Sequence, residues 1–450
     1  MMLLSKDIGN VIDLRRAADK TPSGLRRHLP ALCFFLFLLF YGLVIVRRCV
    51  PPEVSPFEYY FYAVDFSMGF VGRFLAGAVF HLFVSNPTPG AVTAYVRALM
   101  LLFCVAFSLL LERFWLSLPE AYRGLVFCLL AFFLTGPATF GIYFYQFGMI
   151  DTHWLILALP FVVLLQNKKT QWLLPLLFVP MVMLQYASLF NWVLFGGLLL
   201  LYELTLATEK KDRRRLAALF LASVALASGT FLYFQVNEKK NLTYSLEEFN
   251  EVMTERGVEF LYYFDHMLYD SFLADTPALE DQYAYYNDVP FIDHFPDMES
   301  NMFKDTVNRL SYMFRTHTGY YVQNNWYGLK KTVGQMLLLT VILSPMLWLF
   351  YSVLHRKRKA AKGRFLPRFT FFCMMALYPV SAVAIIPISS DSVRWMAQGF
   401  LVLFSLILYM IYREKEAVLA VLAEKAERVP RPAAAVYYGI WFFTVLNPYV

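Results

Sequence analysis

Apolar and polar positions fall in long blocks along this chain. Eleven apolar stretches lie at 30–47, 91–111, 123–144, 152–167, 171–187, 190–207, 215–235, 331–354, 369–388, 395–412 and 433–448. Crossing the hydrocarbon core of a bilayer takes about 20 residues of helix. The pattern therefore predicts an all-α polytopic membrane protein with about 11 transmembrane helices. The pair 171–187 and 190–207 is separated only by a turn near Ser188 and Asn191, and the last stretch runs into the C-terminus, so either could be re-entrant.

The polar intervals set the orientation. With the N-terminus in the cytosol, 27 of the 40 Lys and Arg fall on the cytosolic side, in the N-terminal arm, at Arg113, Arg123, Lys168 and Lys169, and in the runs 209–215, 355–368 and 413–432. That bias follows the positive-inside rule, with Arg47 and Arg48 dissenting at the outer end of the first span. The chain then divides into a cytosolic amphipathic arm at 1–29, an N-terminal transmembrane module at 30–235, an outer cap at 236–330 and a C-terminal transmembrane module at 331–450. The first outer loop, 49–90, sits within the N-terminal module. Its apolar part is short and interrupted, which predicts an interfacial segment on the extracytoplasmic side, helical from about Phe66. No removable signal peptide is expected, because the first apolar block follows a long basic start without a small-residue cleavage site.

Composition agrees with this picture. The chain is 59% hydrophobic, 18% aromatic and only 16% charged, with a mean hydropathy of +0.50. The outer cap departs from the rest: from residue 237 to 328 it carries 16 Asp and Glu against 6 Lys and Arg, whereas the whole chain is at +7. It is also rich in Tyr and Phe, which predicts a small folded cap rather than an acidic linker. Aromatic faces with acidic edges suit either carbohydrate or a protein interface. A helix is expected there after a Ser245 cap followed by Glu247 and Glu248. The five cysteines lie in or beside apolar blocks, so no disulfide framework is implied.

Candidate chemistry gathers at the outer ends of the spans. The stretch YYFYAVDFSMGFVGRFLAG, residues 59–77, carries Asp65 and Arg73 among aromatics and small residues, with Gly69, Gly72, Ala76 and Gly77 spaced for close approach. The third span is interrupted by Gly136, Pro137 and Gly141, and Tyr145, Gln146, Asp151 and His153 follow at its outer end. Asp391 and Arg394 open the tenth span, and Arg97 lies near the start of the second. Each group also has a plain structural reading: Arg73 reaching lipid headgroups, Asp151 capping a helix, Asp391 and Arg394 pairing within one turn. Ionisable groups at membrane depth are costly, and grouping them on one side predicts a shared outward-facing cavity. There is no phosphate-cradling glycine loop, no zinc spacing and no nucleophile elbow.

This layout resembles the GT-C superfamily of integral membrane glycosyltransferases and related bacterial multi-pass proteins of surface-polysaccharide assembly. The resemblance rests on the cytosolic N-terminus, Asp65 in a first outer loop with interfacial segments, Asp151 with His153 in the next outer turn, and a larger outer domain later. Several of those families carry a paired Asp-Glu in the first loop, where this chain has Asp65 followed by Phe66. The resemblance implies a polyprenyl-phosphate-linked sugar donor, a glycan acceptor, a bacterial inner-membrane setting and catalysis on the extracytoplasmic side. It assigns Asp65 as the catalytic carboxylate. Asp151 and His153 join it by orienting the acceptor or binding a divalent cation. Arg73 and Arg394, then Arg47 and Arg48, are candidates for the donor phosphate, with Asp391, Gln146 and Tyr145 in support. Membrane lipids are expected partners and nucleic acid is not. A transporter or flippase of lipid-linked sugars and a noncatalytic assembly subunit remain alternative readings.

Overall fold

The computed structural model describes residues 28–45, 53–135, 139–145, 148–150, 152–237, 241, 243–244, 246–258, 326–385 and 392–446. The protein is all-helical over these residues. In chain order the helices are α1 (Leu29–Ile45), α2 (Pro56–Ala63), α3 (Leu75–His81), α4 (Pro89–Leu116), α5 (Arg123–Leu134), α6 (Ile142–Tyr145), α7 (Thr152–Leu165) and α8 (Leu174–Leu184). They continue as α9 (Trp192–Leu206), α10 (Lys210–Asn237), α11 (Leu246–Glu255), α12 (Trp326–Ala360), α13 (Phe365–Ile385), α14 (Ser392–Arg413), α15 (Lys415–Ala426) and α16 (Arg431–Leu446).

All eleven apolar stretches are helical over most of their length. Among the described residues five helices are long and apolar enough to cross a membrane: Pro89–Leu116, Ser188–Leu206, Lys210–Phe234, Val333–Ala360 and Trp395–Arg413. Shorter apolar helices occupy Leu29–Gly42, His153–Leu165, Gln171–Leu184 and Phe365–Ser381. The third stretch does not run through as one helix: α5 stops at Leu134, and a single turn, α6, resumes at Ile142. At the end of α5 the Thr135 hydroxyl donates to the Ala131 carbonyl at 2.6 Å.

α14 is the centre of the bundle. It packs against α9, α12, α13 and α15, and its run Phe400–Phe404 is fully buried. From Phe400 to Ile411 only Ser405 and Tyr409 carry a polar atom, which suits such an interior position. Around it the core is largely aromatic: Phe133 stacks on Phe404 at 4.6 Å and Phe132 on Trp441 at 3.9 Å. Close packing of this kind requires small residues at crossings. A Cβ on Gly196 would sit 2.8 Å from Phe178, and one on Gly399 would sit 2.6 Å from Ser381.

Charged groups hold the basic end of the bundle. Arg413, closing α14, makes two bonds to the Glu203 carboxylate of α9, at 2.5 and 2.9 Å. Tyr409 donates to the same carboxylate at 2.8 Å. Beside them Tyr202 donates to Glu414, which also receives Lys357 of α12 at 2.5 Å. Every carboxylate here has a cation and a phenol, the arrangement that makes buried charge tolerable.

Candidate functional site

Residues 53–81, in the segment expected as the first outer loop, fold into a compact platform. α2 begins in a reciprocal cap: the Ser55 side chain accepts from the Glu58 N–H, while the Glu58 carboxylate accepts from the Ser55 N–H at 2.8 Å, with Pro56 at the first helical position. Helix does not continue from Phe66. The Asp65 carboxylate accepts from the Ser67 N–H at 2.6 Å, and the Met68 N–H bonds the Asp65 carbonyl at 3.1 Å, so a side-chain-locked turn replaces the helical ladder. Gly69 then takes φ 144°, open to glycine, and α3 starts only at Leu75 after a short 3-10 turn at Gly72–Phe74.

This turn doubles α3 back along α2. Gly77 lies so close to α2 that an added Cβ would stand 1.7 Å from the Val64 carbonyl oxygen. The consequence for chemistry is that His81, at the end of α3, arrives beside Asp65. Its Nδ1 lies 3.6 Å from the Asp65 carboxylate and its Nε2 3.1 Å from the Tyr62 carbonyl. A carbonyl can only accept, so Nε2 carries the proton in the neutral ring. Nδ1 then faces Asp65 with a lone pair, ready to take a proton and become a donor to the carboxylate.

The third member comes from the acidic segment after α10. α11, expected after Ser245, spans Leu246–Glu255, with Ser245 itself outside the described residues. Phe249 and Met253 are buried, and Phe249 stacks on Phe74 at 6.5 Å. Thr243 bonds the carbonyls of Met68, through its N–H at 3.0 Å, and Ser67, through its hydroxyl at 2.9 Å. Asn241 donates to the Phe70 carbonyl at 3.0 Å. The segment is thereby fastened across the Asp65 turn, and Arg256, just past the helix end, donates to Asp65 at 2.8 Å and to the Ala63 carbonyl. Gly257 at φ 75° lets the chain turn away there.

The charges are partly enclosed: side-chain exposure is 12% for Asp65, 14% for His81 and 21% for Arg256. Burial works to raise the Asp65 carboxyl, but bonds from Ser67 and the charge and bond of Arg256 outweigh it and hold the group below its ordinary range. Burial pushes His81 down; Asp65 opposes that shift and Arg256 reinforces it. The site thus pairs an ionised carboxylate with a neutral imidazole.

The remaining candidates are spread around this centre. His153 is half-buried, its ring 5.9 Å from that of Tyr62, whose carbonyl holds His81. Its Nδ1 lies 3.2 Å from the Ile150 carbonyl, and its buried Nε2 has no hydrogen-bond partner. Arg73 sits in the 3-10 turn with its guanidinium 5.8 Å from the Tyr186 ring. Arg97 is exposed on α4. Asp151, Asp391, Gln146, Arg47 and Arg48 lie outside the described residues. Tyr145 closes α6 and Arg394 falls in the first turn of α14, and the description of both stops at the backbone. Among the described residues no three His, Cys, Asp or Glu side chains gather as a metal-ligand set.

Sequence reasoning missed His81 and Arg256. His81 lay in the loop already singled out, and the Arg-Gly ending of a short amphipathic helix marked Arg256 as a chain reversal. Neither signal names Asp65 as the partner. No protein-family model matches this chain, and no curated protein or solved structure is similar to it.

Proposed function

We propose that this protein is a membrane glycosyltransferase with a GT-C-like plan of about 11 spans. In this reading it takes sugar from a polyprenyl-phosphate carrier on the extracytoplasmic side, in the bacterial inner membrane, to build a surface glycan. The observation that carries the reading is the meeting of Asp65, His81 and Arg256 at the base of the outer loop. Glycosyl transfer from a lipid phosphate needs a base for the acceptor hydroxyl and positive charge for the departing phosphate.

The three groups supply both. Asp65 accepts the hydroxyl proton, with His81 Nδ1 beside it as a second proton acceptor. Arg256 moves from Asp65 to the donor phosphate, a better-matched partner for a guanidinium, and Arg73 contributes from the adjacent turn. Loss of Arg256 lets the Asp65 pKa rise, so donor binding itself strengthens the base. The buried, orphan Nε2 atom of His153 accepts a further hydroxyl and orients the acceptor.

The test is transfer from a labelled polyprenyl-phosphate sugar by purified protein. Asp65→Asn is expected to abolish product while leaving expression and membrane insertion intact; near-normal product in that variant removes Asp65 from the chemistry. Vesicle translocation of the lipid-linked sugar without transfer would instead identify a flippase, and neither outcome an assembly subunit.

A further inference from the structure

The loop between α12 and α13 is built differently from the other basic connections. The chain reverses between Ala360 and Phe365, with Gly363 at φ 84°. Seven cations lie between His355 and Arg368. Two are taken up by α15 and its N-cap: Arg356 donates to Glu424 at 2.7 Å and Lys357 to Glu414 at 2.5 Å. The other five, Arg358, Lys359, Lys362, Arg364 and Arg368, have no carboxylate partner among the described residues, and all but Arg358 are exposed. In the run at 209–215, Asp212 pairs with Arg215 at 2.9 Å and with Lys168 at 2.7 Å, while Lys210, Lys211, Arg213 and Arg214 are likewise exposed without a carboxylate partner among the described residues, so uncompensated charge alone does not set the α12–α13 turn apart.

A second feature coincides with the uncompensated charge. Phe365 is 82% exposed and stacks on Phe369 at 5.8 Å, and Phe369 and Phe372 are exposed along the same helix. Arg364 and Arg368 stand one turn apart, each immediately before one of the stacked rings. α13 continues from these residues as an apolar helix, Phe365–Ser381. Where α13 enters a bilayer, this order along the chain sets the charged heads at headgroup level and the aromatic rings just below them. A soluble polyanion would satisfy the charges but leave the rings in water.

We propose that the α12–α13 turn is a binding site for the phosphate headgroups of anionic phospholipids. Clusters of four or more cations at the end of a membrane helix attract anionic lipid, and here stacked aromatics fix the depth.

The test uses the full chain in nanodiscs of phosphatidylcholine with phosphatidylglycerol, with retained lipid counted by native mass spectrometry. Wild-type protein is expected to retain phosphatidylglycerol in preference to phosphatidylcholine. Lys362→Gln/Arg364→Gln/Arg368→Gln should lower that retention by about tenfold or more, while Arg213→Gln/Arg214→Gln leaves it unchanged. Equal retention by the first variant, or an equal loss in the second, overturns the proposal, the latter by showing diffuse surface charge only. Independently of any variant, short-chain phosphatidylglycerol should raise the unfolding temperature of wild-type protein in detergent where phosphatidylcholine does not; equal shifts overturn the proposal as well.

Discussion

The guanidinium of Arg256 meets the carboxylate of Asp65 at 2.8 Å across 191 positions of chain. One partner lies in the turn after α2 and the other just past the end of α11, so the acidic segment is fastened to the helices before it through the candidate catalytic group. Together with the bonds from Ser67, this contact lowers the Asp65 pKa, and it keeps the carboxylate occupied, which makes Arg256 the group whose movement matters most.

Replacing Arg256 by Gln removes a charged hydrogen bond, a loss of about 1.5–3 kcal/mol for the group it serves. Expressed in catalysis, kcat/KM for the lipid-phosphate donor should fall about 10- to 100-fold. The acid limb of the pH–rate profile should move upward, because Asp65 loses the cation that lowers its pKa. Arg256→Lys should restore part of both. A purely structural Arg256 would lower stability without moving the acid limb.

His81 gives the α2–α3 platform a pH dependence of stability. Its folded pKa lies below the ordinary imidazole value of 6.5, chiefly through burial. As pH falls below that value the unfolded chain binds a proton that the folded site still refuses, so stability declines until the folded pKa is passed. Thermal unfolding of the wild-type protein between about pH 7 and pH 5 should show this decline, and His81→Gln should flatten it. An unchanged slope in the variant assigns the decline elsewhere.

Gly77→Ala introduces a carbon 1.7 Å from the Val64 carbonyl oxygen, and backbone on both sides leaves nothing flexible to yield. The expected cost is about 3 kcal/mol or more, with α3 pushed off α2. Fluorescence-detected size exclusion and unfolding temperature measure it. Gly124→Ala, with nothing within 4 Å of its added carbon, should leave both unchanged.

Gln398 links three elements inside the bundle. Its Oε1 accepts from the Tyr143 hydroxyl of α6 at 3.0 Å and from the Trp192 indole of α9 at 2.9 Å. Gln398→Leu leaves both donors buried without that acceptor, costing about 1–3 kcal/mol for each that stays unpaired. A drop in unfolding temperature, reversed by Gln398→Glu more than by Gln398→Met, would separate hydrogen bonding from packing.

The amino-acid sequence by itself determined the all-helical class and the approximate position of the long apolar helices, the broken third one apart, because a bilayer imposes one requirement that each stretch meets or fails alone. It also picked out Asp65, since a carboxylate among aromatics and glycines stands out in any local window. It did not locate the turn at 65–71. A helix and a carboxylate-locked turn differ there by a few local hydrogen bonds, and the choice followed from how closely Gly77 could approach Val64. Nor did it pair His81 or Arg256 with Asp65. Those partners meet only because α3 folds back and α11 docks through Phe249 onto Phe74, contacts set by packing between segments distant in the chain. Span placement is a property of each segment with the lipid; the site is a property of segments with one another, and only the tertiary structure decides it.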